Sequence, residues 1–312
     1  MYDGTDVANV TASLAGRFEA HREHLRGIAY RMLGSLSDAE DAVQESWLRM
    51  SRADVAGIAS LRAWLTTVVS RICLDMLRTR ASRREDPSGT RIPDPVVTPA
   101  AIDTDGPEAQ AVRTDSVSLA LMIVLEHLEP AERVAFVLHD VFDMPFGDIA
   151  PIVGRTTAAT RQLASRARRT VVGRAPAPDA DRRAQRRAVE AFLAAVQKGD
   201  FDALMDVLDP DVVLRADGGR AQGMSRTVRG AAEVAAQARA FSKMGLESTI
   251  VLVNGNVGVL SRLPDGRILS VIGYTIVGGR VAGMDILADP ERLARLHANR
   301  LLPGFVTVAP GS

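Results

Sequence analysis

The sequence predicts a multidomain protein: two all-α domains, the second with a helix-turn-helix, followed by an α+β domain with a curved antiparallel sheet. Three observations support this prediction. The length of 312 residues exceeds what one hydrophobic core usually serves. Helical periodicity fills the first part of the chain, whereas strand-like runs with hairpin turns appear only near the end. Two proline-containing breaks separate the three parts.

The first domain, residues 12–86, carries the periodicity of amphipathic helices. Between two apolar stripes, Ser37 precedes an acidic turn, which predicts an N-cap at Ser37. In the helix that follows, Leu61–Met76 has an apolar side, while Thr67 and Arg71 lie on another side. One face should pack in the core, and the other should meet solvent or a ligand.

A linker follows over residues 87–115, where periodicity stops and prolines, glycines and acids accumulate. The second domain, residues 116–173, ends in a helix-turn-helix pattern: Phe146–Val153, a turn at Gly154 and a helix from Thr157. Pro151 lies in the first of these helices, where it removes a backbone hydrogen bond. We therefore expect that helix to be shortened or kinked.

The third domain is predicted over residues 182–296, with a tail over residues 297–312. An amphipathic helix opens it, and apolar runs follow between residues 247 and 287. Dipeptides that favour two-residue hairpin turns separate these runs, so they should form an antiparallel meander covered by a helix. The turn dipeptides are Asn254-Gly255, Asp265-Gly266 and Gly278-Gly279.

Arginines form two clusters, although the formal net charge of the chain is +0. Two separate cationic surfaces on one chain indicate a long polyanion contacted at two places, and DNA fits this description. The first cluster comprises Arg62, Arg71, Arg78, Arg80, Arg83 and Arg84. The second comprises Arg155, Arg161, Arg166, Arg168, Arg169 and Arg174.

Composition and motifs exclude several other classes of protein. Cys73 is the single cysteine, so an intramolecular disulfide is impossible, and it lies in an apolar helical pattern as a small core residue. Acidic residues occupy the N-terminus where a secretory signal is basic, and the apolar runs are too short to span a bilayer. We expect a cytoplasmic protein without a membrane contact. No metal-ligand pattern or nucleotide-binding loop occurs, so no cofactor, metal or catalytic residue is predicted.

Three segments of the helical domains resemble extracytoplasmic-function sigma factors, the promoter-recognition subunits of bacterial RNA polymerase. Residues 38–48 (DAEDAVQESWL) resemble the family's polymerase-clamp-binding helix. Residues 61–78, from LRAWL to DMLR, resemble the helix that opens and reads the minus-10 element. FGDIA at residues 146–150 and TAATRQLASRARR at residues 157–169 resemble the minus-35 reader. The resemblance implies core RNA polymerase and promoter DNA as partners, and a linker that threads toward the active-site and RNA-exit channel.

The resemblance gives roles to individual residues. The acidic, partly apolar strip on the first segment suits a basic partner helix, which the resemblance implies is the polymerase clamp. Taken alone, the strip would fit a solvated acidic face better. Its residues are Asp38, Asp41, Gln44, Glu45 and Leu48. The minus-10 residues are Arg62, Thr67, Arg71, Arg78 and Arg80. The minus-35 residues are Arg155, Thr157, Ala158, Arg161, Gln162, Ser165, Arg166, Arg168 and Arg169, the last three mainly on phosphates.

Capture of unstacked bases is expected from a loop beside the minus-10 helix rather than from an aromatic side chain. Residues 52–60 occupy this place, next to an arginine-lined helix. Trp64 lies on the apolar stripe of that helix, and we expect it to pack in the core.

Residues 182–296 resemble the polyketide-cyclase-like (SnoaL-like) members of the nuclear-transport-factor-2 superfamily, a helix-backed curved sheet enclosing a pocket. Sigma factors with such a fused domain form a subgroup, and three of its motifs have counterparts here. Residues 217–220 (DGGR), 289–293 (DPERL) and 92–95 (IPDP) resemble its glycine-rich, C-terminal and linker motifs. The resemblance implies an intramolecular contact with the sigma domains that modulates promoter binding in cis. The contact residues are Asp217, Gly218, Gly219, Arg220, Asp289 and Pro290.

Two alternatives remain open from the sequence. The chain could be a one-component DNA-binding regulator whose C-terminal pocket senses a small molecule and which does not bind polymerase. Binding of core polymerase separates this alternative from a sigma factor. The chain could also carry a pocket isomerase or cyclase that uses Asp206 or Asp217 as a base. Turnover that one carboxylate abolishes would support that alternative.

Overall fold

A computed structural model describes residues 4–55, 57–83, 91–100, 117–174, 178–179, 181–219 and 225–298. The chain divides into two compact units. The first consists of Met1–Glu85 with Val124–Arg174, and the second of Asp86–Ile123 with Ala175–Ser312. Helices fill the described part of the first unit, and the second contains helices packed on a curved sheet, which confirms the predicted fold class. Within the described ranges, no helix combines the length and hydropathy needed to cross a membrane.

The helices of the first unit follow one another with short connections. The first three are α1 (Gly4–Leu33), α2 (Leu36–Arg52) and α3 (Leu61–Arg83). After the linker come α4 (Leu119–Glu126), whose first residues belong to the second unit, α5 (Pro130–Phe136), a π-helix (Val137–Val141), α6 (Phe146–Val153) and α7 (Thr157–Arg174). Cys73 is buried on α3, and burial raises the pKa of its thiol to about 12, in keeping with a core residue.

The start of α2 differs from the prediction, because its N-cap is Ser35 and not Ser37. Gly34 adopts a φ of +67° directly after α1, which turns the chain at once. The Ser35 side chain then accepts a hydrogen bond from the Asp38 N–H at 3.3 Å. Ser37 is left exposed in the first turn of the helix.

The helix-turn-helix has the predicted bounds, and Pro151 does not shorten its first helix. Gly154 has a φ of +68° and ends α6 in the left-handed conformation. Thr156 begins the next helix, since its Oγ1 accepts from the Ala159 N–H at 3.2 Å. Pro151 lies in the last turn of α6, where a missing N–H costs at most one helical hydrogen bond. The expected shortening is therefore wrong.

The second unit is built on one seven-stranded sheet whose strand order is β1-β4-β5-β6-β7-β2-β3. Its strands are β1 (Val97–Pro99), β2 (Leu208–Asp217), β3 (Arg226–Arg229), β4 (Glu247–Val253), β5 (Asn256–Arg262), β6 (Ile268–Val277) and β7 (Arg280–Leu287). Its other helices are α8 (Arg182–Lys198), α9 (Phe201–Val207), α10 (Ala231–Phe241), a 3₁₀ turn (Ser242–Met244) and α11 (Pro290–Ala298).

The predicted antiparallel meander is present as β4 to β7, while the sheet as a whole is mixed because β2 pairs in parallel with β7. Asn254-Gly255 and Gly278-Gly279 form two-residue turns, with positive φ at all four residues. Asp265-Gly266 does not. Its loop spans residues 263–267, because the Asp265 carboxylate accepts from the Arg267 N–H at 3.0 Å and closes a wider turn.

One face of the sheet packs against α8 and α10 and forms an apolar core. Phe192 on α8 and Val234 on α10 are buried there, and Tyr274 on β6 contacts Phe192 edge-on at 5.8 Å between ring centroids. Among the described residues, the Tyr274 hydroxyl has no hydrogen-bond partner, and burial raises the pKa of Tyr274. A buried hydroxyl without a partner destabilises the fold.

Replacing Tyr274 with phenylalanine should therefore stabilise the C-terminal domain. Tyr274→Phe removes the unsatisfied hydroxyl and keeps the aromatic contact, so the free energy of unfolding should rise by about 1 kcal/mol. Thermal unfolding followed by near-UV circular dichroism measures this change. A fall in stability of similar size would mean that the hydroxyl has a partner in solution, and would contradict the prediction.

Candidate functional site

The residues predicted to contact polymerase form a strip along α2. Asp41, Gln44 and Leu48 are exposed, and Leu48 has 39% of its surface accessible, which is high for a large apolar side chain. Asp38 and Glu45 are half-buried beside them. Carboxylates next to an exposed leucine form a surface that matches a basic amphipathic helix.

A groove of about 430 Å³ adjoins this strip between α2 and α3. It combines carboxylates with apolar side chains of α3, so it continues the character of the strip. Its lining consists of Asp38, Glu45, Arg49, Ile72, Asp75, Met76, Thr79 and Arg80.

Arg80 connects two of the predicted sites. Its Nη1 donates to the Leu33 carbonyl at the end of α1 at 2.9 Å, and its Nη2 donates to the Asp38 carboxylate at the start of α2. A residue assigned to minus-10 DNA thus holds a residue assigned to polymerase. The Arg80–Asp38 pair also joins α1, α2 and α3. The carbonyls at the end of α1 attract the cation of Arg80, and the first turn of α2 favours the anion of Asp38.

The other predicted minus-10 residues lie along α3. Arg62, Arg71 and Arg78 are exposed, and Thr67 is half-buried with its hydroxyl donating to the Ala63 carbonyl at 3.1 Å. The arginines have weak contacts within the first unit, including Arg78 with Asp75 at 3.7 Å. Exposed ion pairs of this kind contribute little stability, so a phosphate could displace them.

The predicted minus-35 residues share the exposed side of α7. Arg155 precedes the helix and is exposed, and Thr157 is half-buried. The opposite side of α7, formed by Thr160, Leu163, Ala164 and Ala167, is buried. The exposed side contains Ala158, Arg161, Gln162, Ser165, Arg166, Arg168 and Arg169.

Acidic side chains of the same domain accompany two of the arginines assigned to phosphates. Arg166 Nε donates to Glu132 at 2.6 Å, and Arg168 Nε donates to Asp140. The guanidinium of Arg161 lies 5.9 Å from the centroid of the Phe146 ring. These contacts orient the side chains before any ligand arrives, and a phosphate must compete with the two carboxylates.

The C-terminal domain binds the linker through Arg292 on α11. Arg292 Nη1 donates to Asp217 at 2.6 Å, while its Nε and Nη2 donate to Asp94 at 2.8 and 2.6 Å. Nη2 also donates to the Ile92 carbonyl at 2.6 Å, and the Ile92 N–H donates to Asp217 at 3.0 Å. We call Arg292, Asp217, Asp94 and Ile92 the Arg292 cluster. Charge-assisted bonds of a buried guanidinium with two carboxylates and a carbonyl fix the linker backbone at this point.

Backbone pairing extends this contact along the linker. β1 is a linker segment, and it pairs antiparallel with β4 at the edge of the sheet. Asn254, in the turn after β4, exchanges hydrogen bonds with Val96, through its N–H at 2.8 Å and its side-chain oxygen at 3.0 Å. The linker over residues 91–100 is therefore a part of the C-terminal domain and not a free tether.

The predicted interdomain motifs lie next to each other. Gly219 has a φ of +70°, and a Cβ on it would lie 2.4 Å from Asp289 Oδ2, so only glycine fits this close approach. Asp289 caps α11 by accepting from the Glu291 N–H at 2.9 Å, which sets the position of Arg292 one residue later. Gly218 is buried and Pro290 is exposed. Arg220 lies outside the described residues.

Sequence reasoning missed the main residues of the linker contact. Asp217 was assigned to an interdomain contact, but Arg292, Asp94, Ile92 and Asn254 were not. The signal was present for three of them, because Arg292 and the linker residues belong to the motifs that resemble the subgroup. Asn254 was assigned only to a hairpin turn, and nothing in a turn dipeptide indicates a second role.

The two carboxylates considered for catalysis lie in different surroundings. Asp206 is exposed on α9, and Asp217 is held by Arg292 and the Ile92 N–H. The buried carboxylate of the sheet is Asp285, which accepts from Arg215 Nη1 at 3.0 Å. Burial raises the pKa of Asp285, and the charge of Arg215 opposes this rise.

The fold and these surfaces define a class of protein: two helical domains, the first with an acidic strip and the second with a helix-turn-helix, fused to a sheet domain that holds their linker. Comparison with known families agrees. Residues 17–83 match Sigma-70 region 2, residues 118–171 match Sigma-70, region 4, and residues 189–287 match the SnoaL-like domain. We refer below to the first two segments as region 2 and region 4.

The chain is also similar to individual sigma factors over most of its length. It is 42% identical over 292 residues to the ECF RNA polymerase sigma factor SigJ of Mycobacterium tuberculosis H37Rv, covering 88% of this chain and 91% of that protein. It is 34% identical to the probable sigma factor SigI of the same species, covering 91% and 96%. The crystal structure of SigJ matches with a TM-score of 0.69 and 37% identity, over 90% of this chain and 98% of that one.

The chain therefore belongs to the extracytoplasmic-function RNA polymerase sigma factors, in the form that carries a fused SnoaL-like domain. A sigma factor binds core RNA polymerase and promoter DNA, and these are the partners of this protein. The predicted resemblance is confirmed.

Shortening the side chain of Arg292 should release the linker. Arg292→Lys keeps the charge but cannot reach Asp217, Asp94 and the Ile92 carbonyl together, because an ammonium lacks the planar fork of guanidinium. Hydrogen exchange at the amides of Ile92 and Val96 should accelerate about tenfold or more, since both amides donate across the contact. The control is Arg295→Lys, an exposed arginine on the same helix. Equal exchange in the two variants would show that Arg292 does not hold the linker.

Proposed function

We propose that the C-terminal domain regulates this sigma factor in cis by binding its linker. The observation that carries the proposal is the Arg292 cluster, which fixes residues 92–94 of the linker to the two motifs of the C-terminal domain. The contact proposed from the sequence was with the sigma domains themselves. The linker contact supports a related mechanism, in which control acts on the segment between region 2 and region 4.

The proposed mechanism is competition for the linker. The family resemblance implies that the linker enters a channel of the polymerase during initiation. Residues 91–100 cannot lie in that channel and on the C-terminal sheet at once, so binding at one place opposes binding at the other. By linkage, a ligand or condition that strengthens the binding of the linker to the sheet weakens its binding in the polymerase channel by the same factor.

The residue roles proposed for the sigma domains follow their exposure and charge. The strip of Asp41, Gln44 and Leu48, with Asp38 and Glu45 beside it, would bind the polymerase clamp. The exposed side of α7 would read the minus-35 element, and the arginines of α3 would bind the minus-10 region. Arg80 fits a structural role better than the other arginines of α3, because its guanidinium donates hydrogen bonds to the end of α1 and to the start of α2.

In this proposal the protein is an initiation factor and not an enzyme. It acts in the cytoplasm, where polymerase and promoter are found. The engagement of Asp217 with the linker and the exposure of Asp206 disfavour the pocket-base alternative. The match of region 2 disfavours a regulator that does not bind polymerase.

Charge reversal on the α2 strip tests the polymerase contact. Asp41→Lys with Glu45→Lys should weaken binding to purified core polymerase about tenfold or more, because two attractive contacts with a basic partner become repulsive. Glu23→Lys, which reverses an exposed acid on α1, should bind like the wild type. Affinity is measured by fluorescence anisotropy, and normal thermal unfolding excludes a folding defect. Wild-type affinity in the double variant would contradict the assignment.

Transcription in vitro tests the regulatory role. Arg292→Lys should raise promoter-dependent transcription by core polymerase about threefold or more, because the released linker is available to the polymerase. Arg295→Lys serves again as the control. Transcription that is unchanged or lower, with the linker shown to be released, would contradict regulation by competition while leaving the sigma-factor assignment intact.

A further inference from the structure

Two arginines flank the exposed side of α7 that would read the minus-35 element. Arg166 and Arg168 are two residues apart, so at about 3.6 residues per turn they leave the helix about 160° apart. The side between them consists of Ala158, Gln162, Ser165 and Arg169, which are all exposed. A recognition helix in the major groove has a phosphate backbone on each side. The two arginines are therefore placed to meet one backbone each.

A carboxylate from a different element holds each of these flanking arginines. Arg166 Nε donates to Glu132 of α5 at 2.6 Å, and Arg168 Nε donates to Asp140 of the π-helix. The carboxylates are the more buried partners, with 15% and 20% of their side chains exposed against 52% and 45% for the arginines. An arginine that moves away leaves a partly buried carboxylate without its hydrogen bond, which costs free energy.

The geometry of the two bonds leaves most of each guanidinium available. Both bonds use Nε, and the Nη atoms of Arg166 and Arg168 make no hydrogen bond with the described part of the chain. A guanidinium has further N–H donors on its two Nη atoms, so an arginine held at Nε can still donate to a phosphate. Each carboxylate therefore fixes the direction in which its arginine can bind a phosphate.

Arg161, which is assigned to a base contact, is held in another way. Its guanidinium lies 5.9 Å from the centroid of the Phe146 ring, and Phe146 stacks on His139 with 3.8 Å between ring centroids. An uncharged ring attracts a cation less strongly than a carboxylate does, so Arg161 can turn toward a base at little cost. The π-helix supplies both His139 and Asp140, and π-helices concentrate at functional positions.

The two kinds of support have different consequences for DNA without the minus-35 element. Such DNA presents phosphates in every register, and flexible arginines bind them without regard to sequence. An arginine held at Nε meets a phosphate only where the backbone passes in the fixed direction; elsewhere it must break its ion pair. Base contacts on the exposed side of α7 set that position of the backbone. The pairing therefore lowers the affinity for nonspecific DNA more than the affinity for the element.

We propose that Glu132 and Asp140 are positioning residues that set the specificity of the minus-35 reader. They hold Arg166 and Arg168 in the directions in which only correctly seated DNA places its phosphates. This inference rests on the proposed role of α7 and adds to it, because neither acid is among the residues assigned to DNA.

DNA binding by the holoenzyme, which is this chain with core RNA polymerase, tests the proposal. A minus-35 element selected from randomised duplexes by the wild-type holoenzyme supplies the specific probe. The same duplex with that element scrambled supplies the nonspecific probe. The ratio of the two affinities, measured by fluorescence anisotropy, is the specificity of the reader.

Neutralising the two acids should lower this ratio. In Glu132→Gln with Asp140→Asn, the affinity for the scrambled duplex should rise about fivefold or more and the ratio should fall about threefold or more, because the released arginines reach phosphates in any register. The control is Glu129→Gln with Asp143→Asn, two exposed acids of the same domain, which changes the net charge equally. A ratio that falls equally in both proteins, or in neither, would overturn the proposal.

Two further readouts separate positioning from a general effect on the fold. The double-logarithmic dependence of scrambled-duplex affinity on salt should steepen by about 0.9 for each released arginine and should not change in the control. In an Arg166→Gln background, Glu132→Gln should change the ratio no further, because the side chain that it positions is gone. Additive effects of these two substitutions would show that Glu132 does not act through Arg166, and would contradict the proposal.

Arg161→Ala distinguishes failure of this proposal from failure of the minus-35 assignment. Loss of discrimination between the two probes in Arg161→Ala, with an unchanged ratio when the two acids are neutralised, would refute the positioning role and leave the assignment intact. If the wild-type holoenzyme selects no minus-35 element, the assignment fails and the positioning role fails with it.

Discussion

The guanidinium of Arg292 is the interaction on which the arrangement of the second unit depends. It joins α11, the end of β2 and two linker residues that are distant in sequence. A buried ion pair by itself adds little stability, because desolvation offsets the Coulomb attraction. Here each nitrogen of the guanidinium donates to an oxygen, and the Asp217 carboxylate also accepts from the backbone of Ile92. The contact is therefore geometrically specific, because it forms only when the linker, the turn at Gly218-Gly219 and α11 are all in place.

Arginines play a similar part in the first unit, where three of them bind carbonyls in the last turns of helices. Arg80 binds the end of α1 at Leu33, Arg133 binds it at Arg31, and Arg71 binds the end of α6. Such contacts suit the partial negative charge at the end of a helix, and the contact of the exposed Arg71 is weak enough to be exchanged for another partner.

Much of the fold could be predicted from the sequence, because its patterns are local. Apolar periodicity located the helices of region 2, and the Asn254 and Gly278 turns located two hairpins of the sheet. Predictions failed where a neighbouring residue decided the outcome. Ser35 caps α2 because Gly34 turns the chain there, and the side chain of Asp265 widened a loop expected to have two residues.

The functional surfaces could be predicted only in part. The exposed strip on α2 and the exposed side of α7 follow from helical spacing and charge. The Arg292 cluster does not, since residues 92–94, 217 and 292 approach one another only through the tertiary fold. The burial of Arg133 was likewise invisible, because a lone arginine in a short helix gives no pattern. Motif resemblance indicated that the segments matter but not which atoms meet.

Hydrogen exchange on the wild-type protein, with and without core polymerase, tests the central claim most directly. The claim is that the C-terminal domain and the polymerase compete for the same linker. The amides of Ile92 and Val96 should be protected in the free protein and should lose that protection when polymerase is saturating. Protection that persists in the polymerase complex would show that the linker stays on the C-terminal sheet during initiation, and would contradict the account.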